Sequence, residues 1–189
     1  TMSSQSTPHQ LFTIPFSHYN ERARFALDLA GILYVEHGYA PVFHVLPLLW
    51  QTAIHGAKKS TSTPCLITND NQLFHDSALI VKYANKALKE KGTDLYPDNL
   101  LDQILDVEKT LHDEMGVQAR IFAYYHICSD LDNVKKMGHA NFGTIQASLF
   151  SLLSGAIMKL VFTGLKVNKN TANEASQRIT DLMQTFSEK

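Results

Sequence analysis

The stretch LFTIPFSHYNERARFALDLAG, residues 11–31, changes within a few residues from a β-strand pattern of apolar residues to a helical one. Leu11 to Phe16 is a short β-prone run, and the polar residues Ser17 to Asn20 interrupt it. From Glu21 to Ala30 the apolar residues recur at helical spacing, and Gly31 follows where a left-handed C-cap would lie. The stretch therefore predicts a strand, a turn and a helix that ends near Gly31.

Further short elements follow in the first ninety residues. Leu33 to Glu36 is predicted to be a second strand, and Tyr39 to Ser62 a loop that contains one short helix. Cys65 to Thr68 and Gln72 to Phe74 flank a turn-forming Asn-Asp-Asn sequence and predict a hairpin. A helix that extends to about residue 88 is expected next, with Ser77 as its N-cap.

The sequence changes character after Lys89, where a charged and turn-rich segment marks a domain boundary. Downstream, helical patterns cover Leu100 to Ser129, Thr144 to Leu165 and Thr171 to Ser187, and we expect Thr171 to cap the last of these helices. The order of elements predicts an α/β thioredoxin-like N-terminal domain, residues 9–88, followed by an all-α C-terminal domain, residues 98–189.

The composition is that of an ordinary soluble globular protein, with 44% hydrophobic and 19% charged residues among 189. The formal net charge is only -1, with 17 basic and 18 acidic side chains. Such a balance gives no long-range field that would attract nucleic acid or an anionic membrane. We therefore expect neither nucleic acid nor a membrane as a partner.

The number and spacing of the cysteines and histidines argue against a disulfide framework, a redox pair and a metal site. The two cysteines, Cys65 and Cys128, are too few for a disulfide framework and lack Cys-x-x-Cys spacing. The nine histidines show no metal-binding spacing, so no metal is expected. No apolar run is expected to reach the roughly 18 residues that span a bilayer, and Thr1 to Gln10 is interpreted as a mobile polar tail rather than a signal peptide. These features predict a cytoplasmic protein.

Three motifs resemble those of one known family. Ser17 to Leu27 resembles the segment of serine- and cysteine-type cytosolic glutathione transferases in which the catalytic Ser or Cys is followed by four residues, Arg-x-Arg and an apolar helix. Thr63-Pro64, followed by Cys65 to Ile67, resembles the cis-proline turn of that family. Asp76-Ser77 and the helix after it resemble the family's acidic-Ser motif. The chain is thus identified as a member of this family on an ordered set of motifs within about 75 residues.

The resemblance implies a site and a reaction. Ser17 would be the catalytic residue, the cis-proline turn Thr63-Pro64 would bind the cysteinyl unit of glutathione through the backbone of Thr63, and Asp76 and Ser77 would hold its γ-glutamyl group. A basic residue before the cis-proline, Lys59 or its neighbour Lys58, would meet the glycyl carboxylate. The reaction would be attack of the glutathione thiolate on a small hydrophobic electrophile, in a detoxifying transferase that forms a homodimer with glutathione as co-substrate.

The chemistry of these residue types agrees with those roles. Ser17 precedes a helix N-terminus, where unpaired N–H groups and the macrodipole favour negative charge, and its hydroxyl can donate to a thiolate. A thiol of pKa about 8.5 is only about 3% ionised at neutral pH, and lowering that pKa by about two units, worth about 2.7 kcal/mol, makes the thiolate predominant. Asp76 can pair with the ammonium of the γ-glutamyl group, and Ser77 with its carboxylate.

Other interpretations remain open at this point. Ser17 and Asp76-Ser77 are also common helix starts, and Pro64 also fits an ordinary loop. A glutathione-binding protein without turnover would share the same motifs. A glutathione-dependent thiol reductase or peroxidase would need a Cys at position 17, because a Ser there forms no mixed disulfide. Cys65 would then be the remaining thiol, and it is a poor substitute.

The helical domain departs from the family pattern. It is shorter than usual, and the helix that normally fills its core, with a Ser/Thr-x-x-Asp capping signal, is missing from the sequence. We therefore expect the chain to be truncated or to lack part of the protein. The apolar helix Thr144 to Leu165 is expected to be incompletely covered and prone to association.

Overall fold

The computed structural model describes residues 7–188. It divides into two units, the first ending at Tyr96 and the second beginning at Pro97. The predicted N-terminal tail falls partly on residues 1–6, which lie outside the described residues. Its last two residues, His9 and Gln10, are not a tail, because they open the first strand.

A mixed four-stranded sheet forms the centre of the first unit, in the order β2-β1-β3-β4. β1 pairs with β2 in parallel and with β3 in antiparallel, and β3 pairs with β4 in antiparallel, which is the predicted hairpin. β1 is shorter at its end than predicted, because a turn closed by the Ser17 N–H and the Ile14 carbonyl follows it. The strands are β1 His9–Thr13, β2 Tyr34–Gly38, β3 Cys65–Ile67 and β4 Leu73–His75.

Helices cover both faces of this sheet. Side chains alternate between faces along a strand, so Leu11 joins Leu27 and Ile80 in one buried cluster, while Phe12 joins Leu48 in another. The helices are α1 His18–Ala30, α2 Val45–Ile54 and α3 Ser77–Glu90. Because α1 and α3 share one face with Leu11, their N-termini are fixed relative to the end of β1.

The helix ends confirm one prediction and correct another. Gly31 is the left-handed C-cap of α1, with φ +66°. The N-cap of α3 is Asp76, not Ser77, because the Asp76 carboxylate accepts the Ala78 N–H and Ser77 is the first helical residue. A carboxylate beside a helix N-terminus also meets the positive end of the macrodipole, so Asp is a favourable cap there.

The second unit is helical throughout its regular structure. A 3₁₀ turn at Asp98–Leu100 precedes α4, and one π-helical turn at Leu111–Met115 separates α4 from α5. The N-cap of the last helix is Asn168 rather than the predicted Thr171, which occupies the third helical position of a capping box. The helices are α4 Leu101–Thr110, α5 Gly116–Cys128, α6 Leu131–Asn141, α7 Thr144–Leu165 and α8 Lys169–Ser187.

The predicted fold class, an α/β thioredoxin-like domain followed by an all-α domain, is confirmed. One prediction about apolar segments is wrong. α7 has 22 residues and a mean hydropathy of 1.6 in its most apolar window, so by length and composition it can cross a membrane. Isolated Ser, Thr and Gly residues interrupt its apolar runs in the sequence without making the helix polar on average.

Candidate functional site

Ser17 lies at the N-terminus of α1, immediately after the turn that follows β1. Its backbone is extended, and its carbonyl accepts the N–H groups of Asn20 and Glu21 at 3.0 Å each. Its half-buried side chain makes no capping hydrogen bond. The hydroxyl is therefore not used to close the helix end, although Ser17 occupies the N-cap position.

Arg24 fixes the backbone before Ser17. Its guanidinium donates to the Pro15 carbonyl at 2.8 Å and forms ion pairs with Glu21 at 2.6 Å and Glu36 at 2.7 Å. The Arg24 side chain is only 17% exposed, so solvent screens these contacts weakly. The second Arg of the Arg-x-Arg motif thus ties α1 and β2 to the turn that carries Ser17.

The Thr63–Pro64 peptide bond is cis, as the resemblance implies. Pro64 is buried, and its carbonyl accepts the N–H of Asp76 at 3.0 Å. Cys65 follows as the first residue of β3 and pairs with His75 of β4. The cis-proline turn and the start of α3 are therefore joined through the backbone.

Asn20 has no role in the site predicted from the sequence, yet it links two of the three motifs. It is fully buried, and its Nδ2 donates to the Ile14 carbonyl at 2.9 Å and to Thr63 Oγ1 at 3.4 Å. Its Oδ1 is buried without a hydrogen-bond partner among residues 7–188. One sequence signal points to it, since Asn20 shares helical spacing with Ala23 and Leu27 and is the polar member of that buried face.

Asp76 and Ser77 contact each other at the start of α3. Asp76 has φ +86°, a conformation that non-glycine residues seldom adopt and that often marks a constrained functional position. Its Oδ1 accepts the Ala78 N–H at 3.0 Å and the Ser77 hydroxyl at 3.4 Å. Asp76 is half-buried, whereas Ser77 is fully buried. The exposed part of this motif is therefore the carboxylate rather than the hydroxyl.

Lys59 borders a cavity of about 700 Å³ in the first unit. Phe12 and Tyr39 line its wall beside the sheet, and Trp50 of α2 lines it while remaining 67% exposed. Lys58 is also exposed but does not line this cavity. Of the two candidate lysines, Lys59 is thus the one placed beside an apolar space. Trp50 lies on α2, the short helix predicted between Tyr39 and Ser62.

Neither cysteine has the character of a redox centre. Cys65 is fully buried, and burial raises the pKa of its thiol to about 12. Burial likewise raises the pKa of Cys128 to about 11. Among residues 7–188 no group of three or more His, Cys, Asp or Glu side chains could hold a metal ion. Thiolate chemistry by the chain's own sulfur is therefore disfavoured at neutral pH.

The fold is a thioredoxin-like domain followed by a helical domain. Residues 11–92 match the glutathione S-transferase N-terminal domain family. The first unit therefore contains a glutathione S-transferase N-terminal domain. No curated protein matches the chain.

Solved structures of glutathione transferases share the fold. Glutathione transferase URE2P8 from Phanerochaete chrysosporium, solved with oxidized glutathione, is 12% identical over 99% of this chain and 100% of that chain, with a TM-score of 0.52. Glutathione S-transferase-I with lactoylglutathione is 15% identical over 95% of this chain and 69% of that chain, with a TM-score of 0.50. At such identities the likeness establishes the shared fold alone.

Proposed function

We propose that this chain is a glutathione transferase that activates the thiol of glutathione for conjugation to a small apolar electrophile. One observation carries the proposal. Asn20 hydrogen-bonds the turn after β1 to Thr63, and the Asp76 N–H bonds the Pro64 carbonyl, so hydrogen bonds hold the three motifs together. In this proposal the three motifs together bind a tripeptide with a central thiol and charged ends.

Ser17 is the residue that acts on the sulfur in this proposal. Its hydroxyl makes no capping bond in the structure and is available to donate to a thiolate. The N-terminus of α1 adds the positive end of the helix macrodipole, which also favours the ionised sulfur. Both effects lower the pKa of the bound thiol and raise the thiolate fraction at neutral pH.

The remaining residues hold the two ends of the tripeptide. The half-buried carboxylate of Asp76 pairs with the γ-glutamyl ammonium, and the Ser77 N–H at the start of α3 meets the neighbouring carboxylate. The backbone of Thr63, before the cis-proline, pairs with the cysteinyl unit. Lys59 meets the glycyl carboxylate at the opposite end, since its ammonium is exposed beside the cavity.

Similar proteins support glutathione as the ligand. The two solved transferases of similar fold hold oxidized glutathione and lactoylglutathione. The family pattern further suggests a cytoplasmic homodimer with a role in detoxification. The reductase interpretation is disfavoured, because the buried Cys65 has a pKa of about 12 and position 17 is a Ser.

The experiment measures glutathione binding by calorimetry and conjugation of an activated chloroarene, both as a function of pH. The variants are Ser17→Ala, Ser17→Thr, which keeps the hydroxyl, and Ser176→Ala, which removes an exposed hydroxyl from α8. We expect Ser17→Ala to lower kcat/KM about 25-fold at neutral pH, the factor by which the thiolate fraction falls. Ser17→Thr should retain most of the activity, and Ser176→Ala should retain all of it.

The same data separate the competing functions. Glutathione binding without turnover in the wild type would favour the alternative of a transferase-like binding or regulatory protein. Equal activity of the wild type and Ser17→Ala would remove Ser17 from the mechanism. Absence of glutathione binding would contradict both functions.

A further inference from the structure

α7 is apolar on two opposite faces. One face is buried, and its Phe150 ring packs against Gly138 of α6 so closely that an added Cβ there would lie 2.7 Å from the ring. Phe150 also meets Phe142 edge-to-face, with the ring centroids 5.5 Å apart. This face is therefore committed to packing within the second unit.

The opposite face of α7 is exposed and also apolar. Leu152 is 79% exposed and Ile145 is 80% exposed, whereas an ordinary surface helix carries polar residues on its outer side. The exposed residues fall within one stripe, since their spacing of three, four or seven residues returns to the same side of a helix. The stripe extends over about 22 Å of helix. Its members are Ile145, Leu149, Leu152, Leu153 and Leu160.

The segment that contains this stripe is basic. Residues 133–173 hold five Lys and neither Asp nor Glu, in a chain whose net charge is -1. Asp132 and Glu174 border the segment, and Lys135 is ion-paired with Asp132 at 3.4 Å, so the other four lysines carry its positive charge. The exposed Lys159 lies seven residues after Leu152, on the same side of α7. Lys166, the C-cap of α7, and Lys169, the first residue of α8, are both exposed. An apolar stripe is thus combined with a local positive charge that the whole-chain sum conceals.

We propose that this face of α7 docks onto the surface of an anionic lipid bilayer, with the helix lying in the plane of the interface. Leu152 and its neighbours in the stripe enter the acyl boundary, and the lysines meet the negative headgroups. Lys159 extends its alkyl chain along the stripe and keeps its ammonium at headgroup level. The expectation of no membrane partner rested on net charge, which does not describe this segment.

The structure favours this occupant over two others. A bilayer-spanning α7 would have to leave α6, because the Phe150 face would then be surrounded by lipid. A second copy of the chain would bring two positively charged segments together, which costs free energy. An anionic surface is the partner that satisfies both the apolar stripe and the lysines.

The test is cosedimentation of the full 189-residue chain with vesicles of phosphatidylcholine alone or mixed with phosphatidylserine. Leu152→Glu places a negative charge in the centre of the stripe. Leu33→Glu is the matched control, because Leu33 is a leucine of the first unit that is also 79% exposed. Lys159→Gln with Lys169→Gln removes two of the four lysines that carry the segment's positive charge. Circular dichroism checks that each variant is folded, and Ile145→Gln replaces Leu152→Glu if the latter is not.

The expected result is binding to the mixed vesicles and not to phosphatidylcholine alone, with an affinity that falls as salt is added. Leu152→Glu should weaken that binding by about tenfold or more, and the double lysine variant should also weaken it, whereas Leu33→Glu should not. No binding to the mixed vesicles overturns the proposal, and so does equal binding by Leu152→Glu. Self-association that Leu152→Glu abolishes, without vesicle binding, assigns the stripe to a second copy instead.

Discussion

The two units cover their apolar residues in different ways. In the first unit, Leu11 and Leu27 are fully buried between the sheet and its helices. In the second, no residue of α4 is buried, and α7 leaves Leu152 79% exposed. A sheet with helices on both faces buries its apolar side chains within the unit. A helix that packs along only one side leaves the apolar side chains of its other side exposed.

The first prediction tests this comparison where the largest effect is expected. Leu27→Ala leaves a cavity between α1 and the sheet, and should lower the free energy of unfolding by about 3 kcal/mol. Leu153→Ala in α7, where the side chain is 44% exposed, should change it by less than about 1 kcal/mol. Urea denaturation measures both. Equal losses would mean that α7 is covered as completely as α1.

Asn20 allows the same comparison for buried polar groups. Asn20→Ala removes the hydrogen bonds to Ile14 and Thr63 and leaves a buried carbonyl unsatisfied, so we expect a loss of about 2 kcal/mol. Ser154→Ala is the control, because its equally buried hydroxyl bonds only to the Ser151 carbonyl of its own helix. That variant should lose less than about 1 kcal/mol in the same denaturation experiment. A neutral Asn20→Ala would show that the site segments do not depend on this amide.

Arg24 holds the turn that carries Ser17 in place. Arg24→Gln breaks the ion pairs with Glu21 and Glu36 and weakens the bond to the Pro15 carbonyl, so we expect a loss of about 1 kcal/mol. The catalytic effect should be larger than this loss suggests, because the position of Ser17 changes as well. Arg178→Gln is the control, since its ion pair with Glu114 is half exposed and lies in the second unit. Conjugation rates that fall equally in both variants would contradict the positioning role.

The buried His9 should make the stability of the first unit depend on pH. Burial lowers the pKa of His9 from its usual 6.5, with Asp70 partly opposing, while its Nδ1 accepts the Asn69 N–H at 3.0 Å. The unfolded chain therefore takes up a proton at a higher pH than the folded protein. The stability that His9 contributes is present above about pH 6.5 and is lost as the pH falls from there towards the lowered pKa.

The measurement is urea denaturation between pH 7 and pH 5. Burial lowers the pKa of His44 and His75 in the same direction, so His9→Asn should reduce the loss of stability on acidification rather than abolish it. An unchanged pH dependence in His9→Asn would show that His9 does not titrate as its burial requires.

Local rules made much of the first unit predictable from the sequence. Gly31 marks a helix end because few other residues adopt its left-handed conformation, and Thr63-Pro64 was recognisable from its place before β3. The Asn20 link was not predictable, because it joins residues 43 positions apart. The cap of α3 was misplaced by one residue, since Asp76 and Ser77 are both good caps and only the backbone selects between them.

The second unit was less predictable for a physical reason. Periodicity indicated the bounds of α7, which the structure confirms at Thr144–Leu165. Periodicity cannot indicate how much of an all-round apolar helix is covered, because coverage depends on distant elements. The missing core helix did predict that α7 is incompletely covered, which the structure confirms, but the exposed residues, Leu152 among them, became visible only in the structure.

The pKa of the glutathione thiol bound to this chain tests the central claim most directly, and ultraviolet absorbance of the thiolate during a pH titration measures it. With the wild type, the account predicts an apparent pKa about two units below the value of about 8.5 for a free thiol, and with Ser17→Ala a value close to the free one. A bound thiol whose pKa is the same in both proteins would contradict the assignment of thiol activation to Ser17.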